Sequence, residues 1–169
     1  MRKALKVVDT ISDYSGRIFS WLALALVLVL VFEVVARWGF NRPTVWAHLT
    51  SQMMGGTLVV MGLAYAHVHR KHLRIDIIYR MFPTRVKMIL DVCFFMVFMV
   101  PVLYVFLTNS AEWAWQSWVM GEVRDESWWY PPAAPFRTVY LLGWCTFTLQ
   151  CLARFFRDFY FAVRSKPYD

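Results

Sequence analysis

The chain has 169 residues, of which 59% are hydrophobic and 18% aromatic, and its mean hydropathy is +0.44. A water-soluble domain of this size could not bury so much apolar surface, and exposing it would drive aggregation, so the composition predicts a membrane protein. The formal net charge of +7 comes from short basic patches between apolar runs, which favours contact with anionic lipid headgroups over nucleic acid.

Four apolar runs define the predicted elements. They cover residues 18–38, 45–66, 88–108 and 139–161. Each has roughly the twenty residues that a helix needs to cross a hydrocarbon core of about 30 Å. Lipid cannot satisfy backbone polar groups, so helix is the expected state of all four runs. The sequence therefore predicts one all-α membrane domain over residues 1–169, with four transmembrane helices.

The basic residues predict the orientation of this domain. Fourteen of the 18 Lys and Arg residues lie in the N-terminal tail, in segment 67–87 and at the C-terminal end. Cytoplasmic segments of membrane proteins carry such an excess of positive charge. We therefore expect both termini to lie in the cytoplasm.

The first run contains two charged residues, Glu33 and Arg37. They are four residues apart and share one helix face, which is the spacing of an ion pair. A carboxylate within a transmembrane segment can also be a proton site, and a small proton-coupled multidrug exporter using Glu33 is the alternative function. Glu33 lies about 7 Å to the outer side of the helix midpoint, which favours a structural ion pair.

The second run carries a stripe of small residues, hereafter the small-residue stripe: Ser51, Gly55, Gly62 and Ala66. At 100° per residue these four positions fall within a sector of roughly 60° on one helix face. Small side chains let a neighbouring helix approach closely within a membrane. Packing inside this chain and packing against a second membrane subunit are equally compatible with the stripe.

A basic segment with several histidines follows the second run. Arg70, Lys71 and Arg74 are predicted to contact lipid headgroups. Only the second helix has histidines near its ends, so no two helices offer ligands at one depth for haem. The three cysteines form no CxxC pair. We therefore expect no cofactor and no metal; a metal site of His67, His69 and His72, which lacks a carboxylate or thiol at ligand spacing, is the alternative. His48 lies at the opposite end of that helix, and Cys93, Cys145 and Cys151 are predicted to be small buried hydrophobic residues.

The connection between the third and fourth runs is acidic and rich in tryptophan, with five of the nine tryptophans of the chain. Indole rings favour the headgroup layer, so these residues are predicted to form an interfacial belt on the outer face, and the connection can contain an interfacial helix. Docking of another protein is the alternative, because aromatic residues are enriched at binding hot spots. The five residues are Trp113, Trp115, Trp118, Trp128 and Trp129.

No pattern for covalent chemistry is present. The sequence has no Gly-rich phosphate loop, no nucleophile constellation and no paired catalytic carboxylates. The chain is therefore predicted not to be an enzyme.

Two long motifs stand at residues 32–47 (FEVVARWGFNRPTVWA) and at residues 62–87 (GLAYAHVHRKHLRIDIIYRMFPTRVK). Together they resemble the small membrane subunit of tripartite ATP-independent periplasmic (TRAP) transporters, the DctQ type. A later stretch, ESWWYPPAAPFRTVYLLGWCTFTLQCL (residues 126–152), is similar to the start of the fourth helix in that family. The chain departs from the family pattern at His48 and Leu49, where carboxylates commonly stand.

This resemblance implies a function within a complex. It implies uptake of an organic anion driven by a sodium gradient, with the substrate and ion sites on a large polytopic membrane subunit. The small subunit is then a non-catalytic scaffold in the bacterial inner membrane, packed against the large subunit and helping to dock a periplasmic binding protein. On this interpretation the small-residue stripe contacts the large subunit.

Overall fold

The computed structural model describes residues 2–69, 83–125 and 128–164. Within these ranges the chain is helical apart from its connections, and one isolated β-bridge joins Val123 to Pro132. The all-α class predicted from the sequence is confirmed for this part of the chain. The helices are α1 (Arg2–Val34), α2 (Ala47–Val68), α3 (Thr84–Phe94), α4 (Val100–Met120) and α5 (Ala133–Arg164).

Two π-helical turns interrupt the regular helices. One, Val35–Gly39, continues α1, and the other, Phe95–Met99, joins α3 to α4 into one helix from residue 84 to residue 120. Pro101 explains the second turn, because its ring cannot donate a hydrogen bond and collides with the carbonyl four residues earlier, at Val97. A wider turn accommodates that collision, and such turns are often found at functional sites.

A short connection folds α2 back along α1. Asn41 takes a left-handed conformation with φ of 51°, and the Arg42 N–H donates to the Ala36 carbonyl over 2.9 Å. Asparagine tolerates this conformation better than most residues, which explains its place between Phe40 and Arg42. The chain thus reverses direction within a few residues.

The helices pack in the order α1, α2, α5 and then α3–α4, so that α2 lies between α1 and α5. Near its start α1 also contacts α5. We call the end of the molecule at which α1 begins the terminal end, and the opposite end, with the α1–α2 and α4–α5 connections, the distal end. The buried core lies between α2, α4 and α5 and consists of Val60, Ala64, Leu103, Trp144, Phe147 and Cys151.

Two glycines allow the closest helix contacts. A Cβ atom at Gly16 would lie 2.4 Å from Cβ of Tyr65, and one at Gly143 would lie 2.5 Å from Cγ1 of Val60. These distances are shorter than real side-chain contacts, so only glycine fits there. Gly16 joins α1 to α2, and Gly143 joins α5 to α2.

The helices extend beyond three of the predicted runs, which is a correction to the bounds 18–38, 88–108 and 139–161. The basic N-terminal segment is helical from Arg2, and polar contacts join it to α5 at Asp9. The helix of the third run continues through α4 to Met120, so Trp113, Trp115 and Trp118 lie on a helix and not in a loop. The helix of the fourth run, α5, extends from Ala133 to Arg164. The bounds of α2 differ from the predicted 45–66 by two residues at each end.

Among the residues that the structure describes, three helical stretches are long and apolar enough to cross a membrane: Leu5–Gly39, Ile89–Met120 and Ala133–Tyr160. The helix α2 is not among them, so the prediction of four transmembrane helices is not confirmed. Its polar and small residues, such as Ser51, Gln52 and Gly55, lower its hydropathy.

Candidate functional site: an open helix face between two polar ends

Glu33 bridges the two sides of the α1–α2 connection at the distal end. Its Oε1 accepts hydrogen bonds from Arg37 Nη2 over 2.6 Å and Arg37 Nε over 3.1 Å. Its Oε2 accepts from the Thr44 N–H over 3.2 Å and also from the Thr44 hydroxyl. The structure therefore brings Glu33 and Arg37 together and adds Thr44, which the sequence did not indicate. Both carboxylate oxygens are engaged, and this geometry gives no support to the exporter alternative.

A second polar cluster joins α4 to α5 at the distal end. Arg137 binds both carboxylate oxygens of Glu122, over 2.6 and 2.7 Å, and donates to the Ser117 hydroxyl over 2.7 Å. The Arg137 guanidinium also lies 5.4 Å from the centre of the Trp113 ring, a cation–π distance. Bidentate pairing fixes both partners in orientation, so the connection after α4 is held against the start of α5.

The connection between α4 and α5 also contacts α2. The Arg124 N–H donates to the Pro131 carbonyl over 3.0 Å, while Arg124 Nη2 donates to Gln52 Oε1 of α2 over 3.1 Å. Trp128 and Trp129 line a shallow depression together with Trp46. The α4–α5 connection is thus joined to the first part of α2 at the distal end by contacts between side chains far apart in sequence.

A third cluster closes the terminal end. Asp9 of α1 accepts hydrogen bonds from Arg157 Nη2 over 2.6 Å and from Gln150 Nε2 over 2.8 Å, both on α5. The Ser12 hydroxyl lies 3.3 Å from Gln150 Oε1, and Ser12 and Gln150 are both buried. We call this set the Asp9–Arg157 clamp. Sequence reasoning missed it; the available signal was an acid inside a basic tail, with no indication of its partner.

The histidines take structural positions. His69 Nε2 lies 2.8 Å from Asp13 Oδ1, so the end of α2 contacts α1, and His67 packs edge-on against Phe147. His48 lies 3.1 Å from Gln52 Nε2. In residues 2–69, 83–125 and 128–164, no three His, Cys, Asp or Glu side chains come together as metal ligands. His72 lies outside the described residues.

The two glycines of the small-residue stripe make no close contact within the chain. Ideal Cβ atoms at Gly55 and Gly62 would meet no heavy atom within 4 Å. Ser51 and Ala66 are half-buried on the same side, and Val59 between them is 59% exposed. The internal close contacts use other glycines, Gly16 and Gly143.

The open face of α2 continues onto α1. A groove of about 290 Å³ runs between the two helices and is lined by Leu58 and Gly62 of α2. From α1 it is lined by Ser20 and Ala23, two further small residues at helical spacing. Sequence reasoning missed these, although the periodicity of Gly16, Ser20 and Ala23 could have indicated them.

The tryptophans predicted to form a belt surround the distal end. Trp115 is 71% exposed and Trp128 is 86% exposed, while Trp118 donates a hydrogen bond from Nε1 to the Thr138 hydroxyl over 2.9 Å. Trp113 is exposed beside Arg137, and Trp129 lies in the depression with Trp46. The three predicted headgroup contacts Arg70, Lys71 and Arg74 lie outside the described residues.

Comparison with known proteins assigns the family. The family model for the DctQ component of tripartite ATP-independent periplasmic transporters matches residues 26–160. No curated protein matches the chain. The matched segment includes Glu33 and the α1–α2 connection, the open face of α2, and the polar cluster of Arg137 that joins α4 to α5. The chain therefore belongs to the DctQ family of TRAP transporter small membrane components.

Proposed function

We propose that this chain is the non-catalytic scaffold of a sodium-coupled TRAP uptake system for an organic anion. It binds the large polytopic subunit, which carries the substrate and sodium sites, through the open face of α1 and α2. This goes beyond the family assignment, which by itself makes the chain a small component of such a transporter. The bacterial inner membrane, with both termini in the cytoplasm, is the proposed location.

The observation that carries the proposal is the unfilled space at Gly55 and Gly62. Within the described residues the chain does not use these glycines for its own close contacts. Small residues on a membrane helix allow a second helix to pack at short range, where dispersion and not the hydrophobic effect drives association. A partner helix lying in the groove between α1 and α2 would fill this space.

The exposure of α1 supports an interface with a partner on this same face. In the most hydrophobic part of Leu5–Gly39, none of the residues is buried within the chain. Large side chains are exposed around this helix, including Trp21 and Leu28. Lipid or a partner can cover such surface, and the adjacent small-residue stripe favours a partner on the side toward α2.

A fourth membrane crossing by α2 is part of the proposal. The residues on either side of α2 contact α1: Thr44, before it, donates to Glu33, and His69, after it, lies beside Asp13. Those two α1 residues are about 30 Å apart along the helix axis, which is the thickness of a hydrocarbon core. Since α2 runs beside α1 over that length, it crosses wherever α1 does.

The distal end is the proposed docking face for the periplasmic binding protein. It combines exposed aromatic side chains, such as Trp38 and Trp128, with the acids Glu112 and Asp125. Aromatic anchors beside charged groups are typical of interfaces that bind a protein reversibly. Under the proposed orientation this end faces the periplasm.

The experiment is co-purification with the large subunit. Gly55→Leu and Gly62→Leu fill the open face and are expected to reduce recovery of the large subunit about tenfold or more, because overpacking costs about 1–3 kcal/mol at each site. Ala111→Leu is the matched control, since Ala111 is exposed on α4, away from the stripe.

The stability of the variants distinguishes loss of the partner contact from loss of the fold. Leucine has a higher helix propensity than glycine, so both variants should unfold no more easily than the wild type. Loss of the partner with unchanged stability supports the proposal. Unchanged recovery in both variants means that the interface lies elsewhere on the chain.

A further inference from the structure

A cavity of about 380 Å³ lies between α4 and α5 at the distal end, beside the connection that joins the two helices. Backbone pairing fixes this connection, because Val123 and Pro132 form a β-bridge. The Ala133 N–H also donates to the Glu122 carbonyl over 2.9 Å. Val123 and Asp125 line the cavity and are both exposed, so the cavity reaches the surface beside them. It is therefore a preformed opening at the distal end.

The inner part of the cavity carries two hydroxyl groups that have no hydrogen bond within the described part of the chain. They belong to Ser110 of α4 and Tyr140 of α5. Ser110 lies about 10 Å along α4 from Ser117, and Tyr140 about one turn along α5 from Arg137, both toward the middle of the molecule. Ser110 is only 4% exposed, and the surface that it keeps faces the cavity. Buried hydroxyl groups almost always have a hydrogen-bond partner, so a polar occupant is expected here.

The cavity has an open negative charge, whereas its two positive groups already bind acceptors. Arg137 holds both carboxylate oxygens of Glu122, and Arg124 Nη2 donates to Gln52 Oε1 of α2 over 3.1 Å. Asp125 has no hydrogen bond or ion pair among the residues that the structure describes. Glu122 keeps 41% of its side chain exposed and can accept more hydrogen bonds, since a carboxylate has about four acceptor sites. The expected occupant is therefore a cation that donates hydrogen bonds.

The wall between these polar groups is apolar. Val123 and Phe136 line one side of the cavity, and Trp113 lines it from α4. The rings of Phe136 and Tyr140 have centres 6.3 Å apart, so aromatic surface extends to the inner hydroxyl. An alkyl chain that ends in an ammonium matches this order of groups. Lysine is such a chain, because it has a four-carbon stem and three N–H donors but no acceptor.

We propose that this cavity receives one lysine side chain of the periplasmic binding protein. The methylene stem packs against Phe136 and Val123, and the ammonium donates to the Asp125 carboxylate and the Tyr140 hydroxyl. Ser110 is reached directly or through a bridging water. This inference rests on the proposed docking of that protein at the distal end, and it names the group that the protein inserts.

Charge and position favour this occupant over the others. An acidic side chain would meet the carboxylate of Asp125, and like charges in contact disfavour binding. An arginine would bring a third guanidinium next to Arg124 and Arg137. A free amine satisfies the same groups, but the opening lies at the end that carries the exposed Trp115 and Trp128, which a docked protein would cover together with it.

The first test uses the purified full chain in a nonionic detergent, with a lysine blocked at both backbone ends as the probe. Saturation-transfer NMR titration measures its dissociation constant. Blocked lysine is expected to bind about tenfold more tightly than the same compound acetylated on its side-chain nitrogen, the factor for one hydrogen bond to a charged group. Equal binding of the two compounds, or tighter binding of blocked glutamate, would overturn the proposal and leave the cavity to water.

Matched variants locate the probe in the cavity. Asp125→Asn should weaken binding about tenfold and Tyr140→Phe by less, because the first removes a charged acceptor and the second a neutral one. Glu112→Gln and Tyr104→Phe make equivalent changes at exposed positions that do not line the cavity, and they should leave binding unchanged. Equal losses from Asp125→Asn and Glu112→Gln would show diffuse attraction to acids instead of a site, which would overturn the proposal.

The second test identifies the occupant in the complete transporter with its binding protein. Acetylation of the lysines of the binding protein should weaken docking to the wild-type transporter about tenfold. It should weaken docking to the Asp125→Asn transporter little further, because both changes remove the same ion pair. Additive losses, or docking unaffected by Asp125→Asn, would overturn the lysine assignment and leave the docking face standing. Absence of docking to the wild type would overturn the docking face together with its occupant.

Discussion

The helices α1 and α5 have similar lengths but opposite roles in the molecule. In the most hydrophobic part of each, none of the α1 residues is buried within the chain, whereas 33% of the α5 residues are. Packing against α2 and the α3–α4 helix makes α5 the central helix, while α1 contacts α2 and, near its start, α5. Internal stability therefore depends on α5, and the surface available to a partner lies on α1 and α2.

The largest expected effect comes from the central contact of α5. Gly143→Ala places a Cβ 2.5 Å from Cγ1 of Val60, so α5 and α2 must separate. We expect a loss of about 1–3 kcal/mol in the free energy of unfolding, as for other overpacked sites. Thermal unfolding in detergent, followed by circular dichroism, measures it.

Gly55→Ala is the control for this comparison, because it adds the same methyl group where no atom lies within 4 Å. It should leave stability equal or slightly higher, since alanine favours helix. If both variants lost the same stability, the distinction between an internal glycine and a partner-facing glycine would be wrong.

An intermediate effect is expected where α1 does join the central helix, at the Asp9–Arg157 clamp. Asp9→Asn and Arg157→Gln should each cost about 1 kcal/mol, and less at high salt, because both side chains are partly exposed. A double-mutant cycle measures the coupling between them. Additive losses would indicate that the two residues act separately and that α1 is held there by its other contacts.

The smallest effect is expected at the distal end of α1. Glu33→Gln keeps oxygen and nitrogen groups near Arg37 and Thr44 but removes the charge, so thermal stability should fall only slightly. Glu112→Gln, on the exposed side of α4, is the matched control. Transport by the assembled system should continue in both variants; loss of transport in Glu33→Gln alone, with stability retained, would show that Glu33 has more than a structural role.

The sequence predicted features that depend on local spacing. Apolar runs located the helices, and the four-residue interval predicted the Glu33–Arg37 pair that the structure contains. The ends of the helices were harder to predict, because the polar and tryptophan-rich residues 109–120 are compatible with either a loop or an exposed helix. The structure makes this stretch helical as far as Gly121, whose left-handed conformation ends it.

Contacts between distant segments could not be predicted in this way. Asp9 and Arg157 meet because α2 and α5 place the start of α1 beside the end of α5, and no periodicity in the sequence indicates that arrangement. Likewise, the sequence showed a stripe of small residues but not whether its glycines pack inside the chain or stay open. That question depends on the neighbours of α2, which only the fold supplies.

Site-specific cross-linking in the complete transporter tests most directly whether the face of α1 and α2 holds the large subunit. A photoreactive residue in place of Gly55 or Gly62 is predicted to form an adduct with the large subunit, whereas the same residue in place of Ala111 is predicted to form none. Adducts from position 111 alone would contradict the proposed interface.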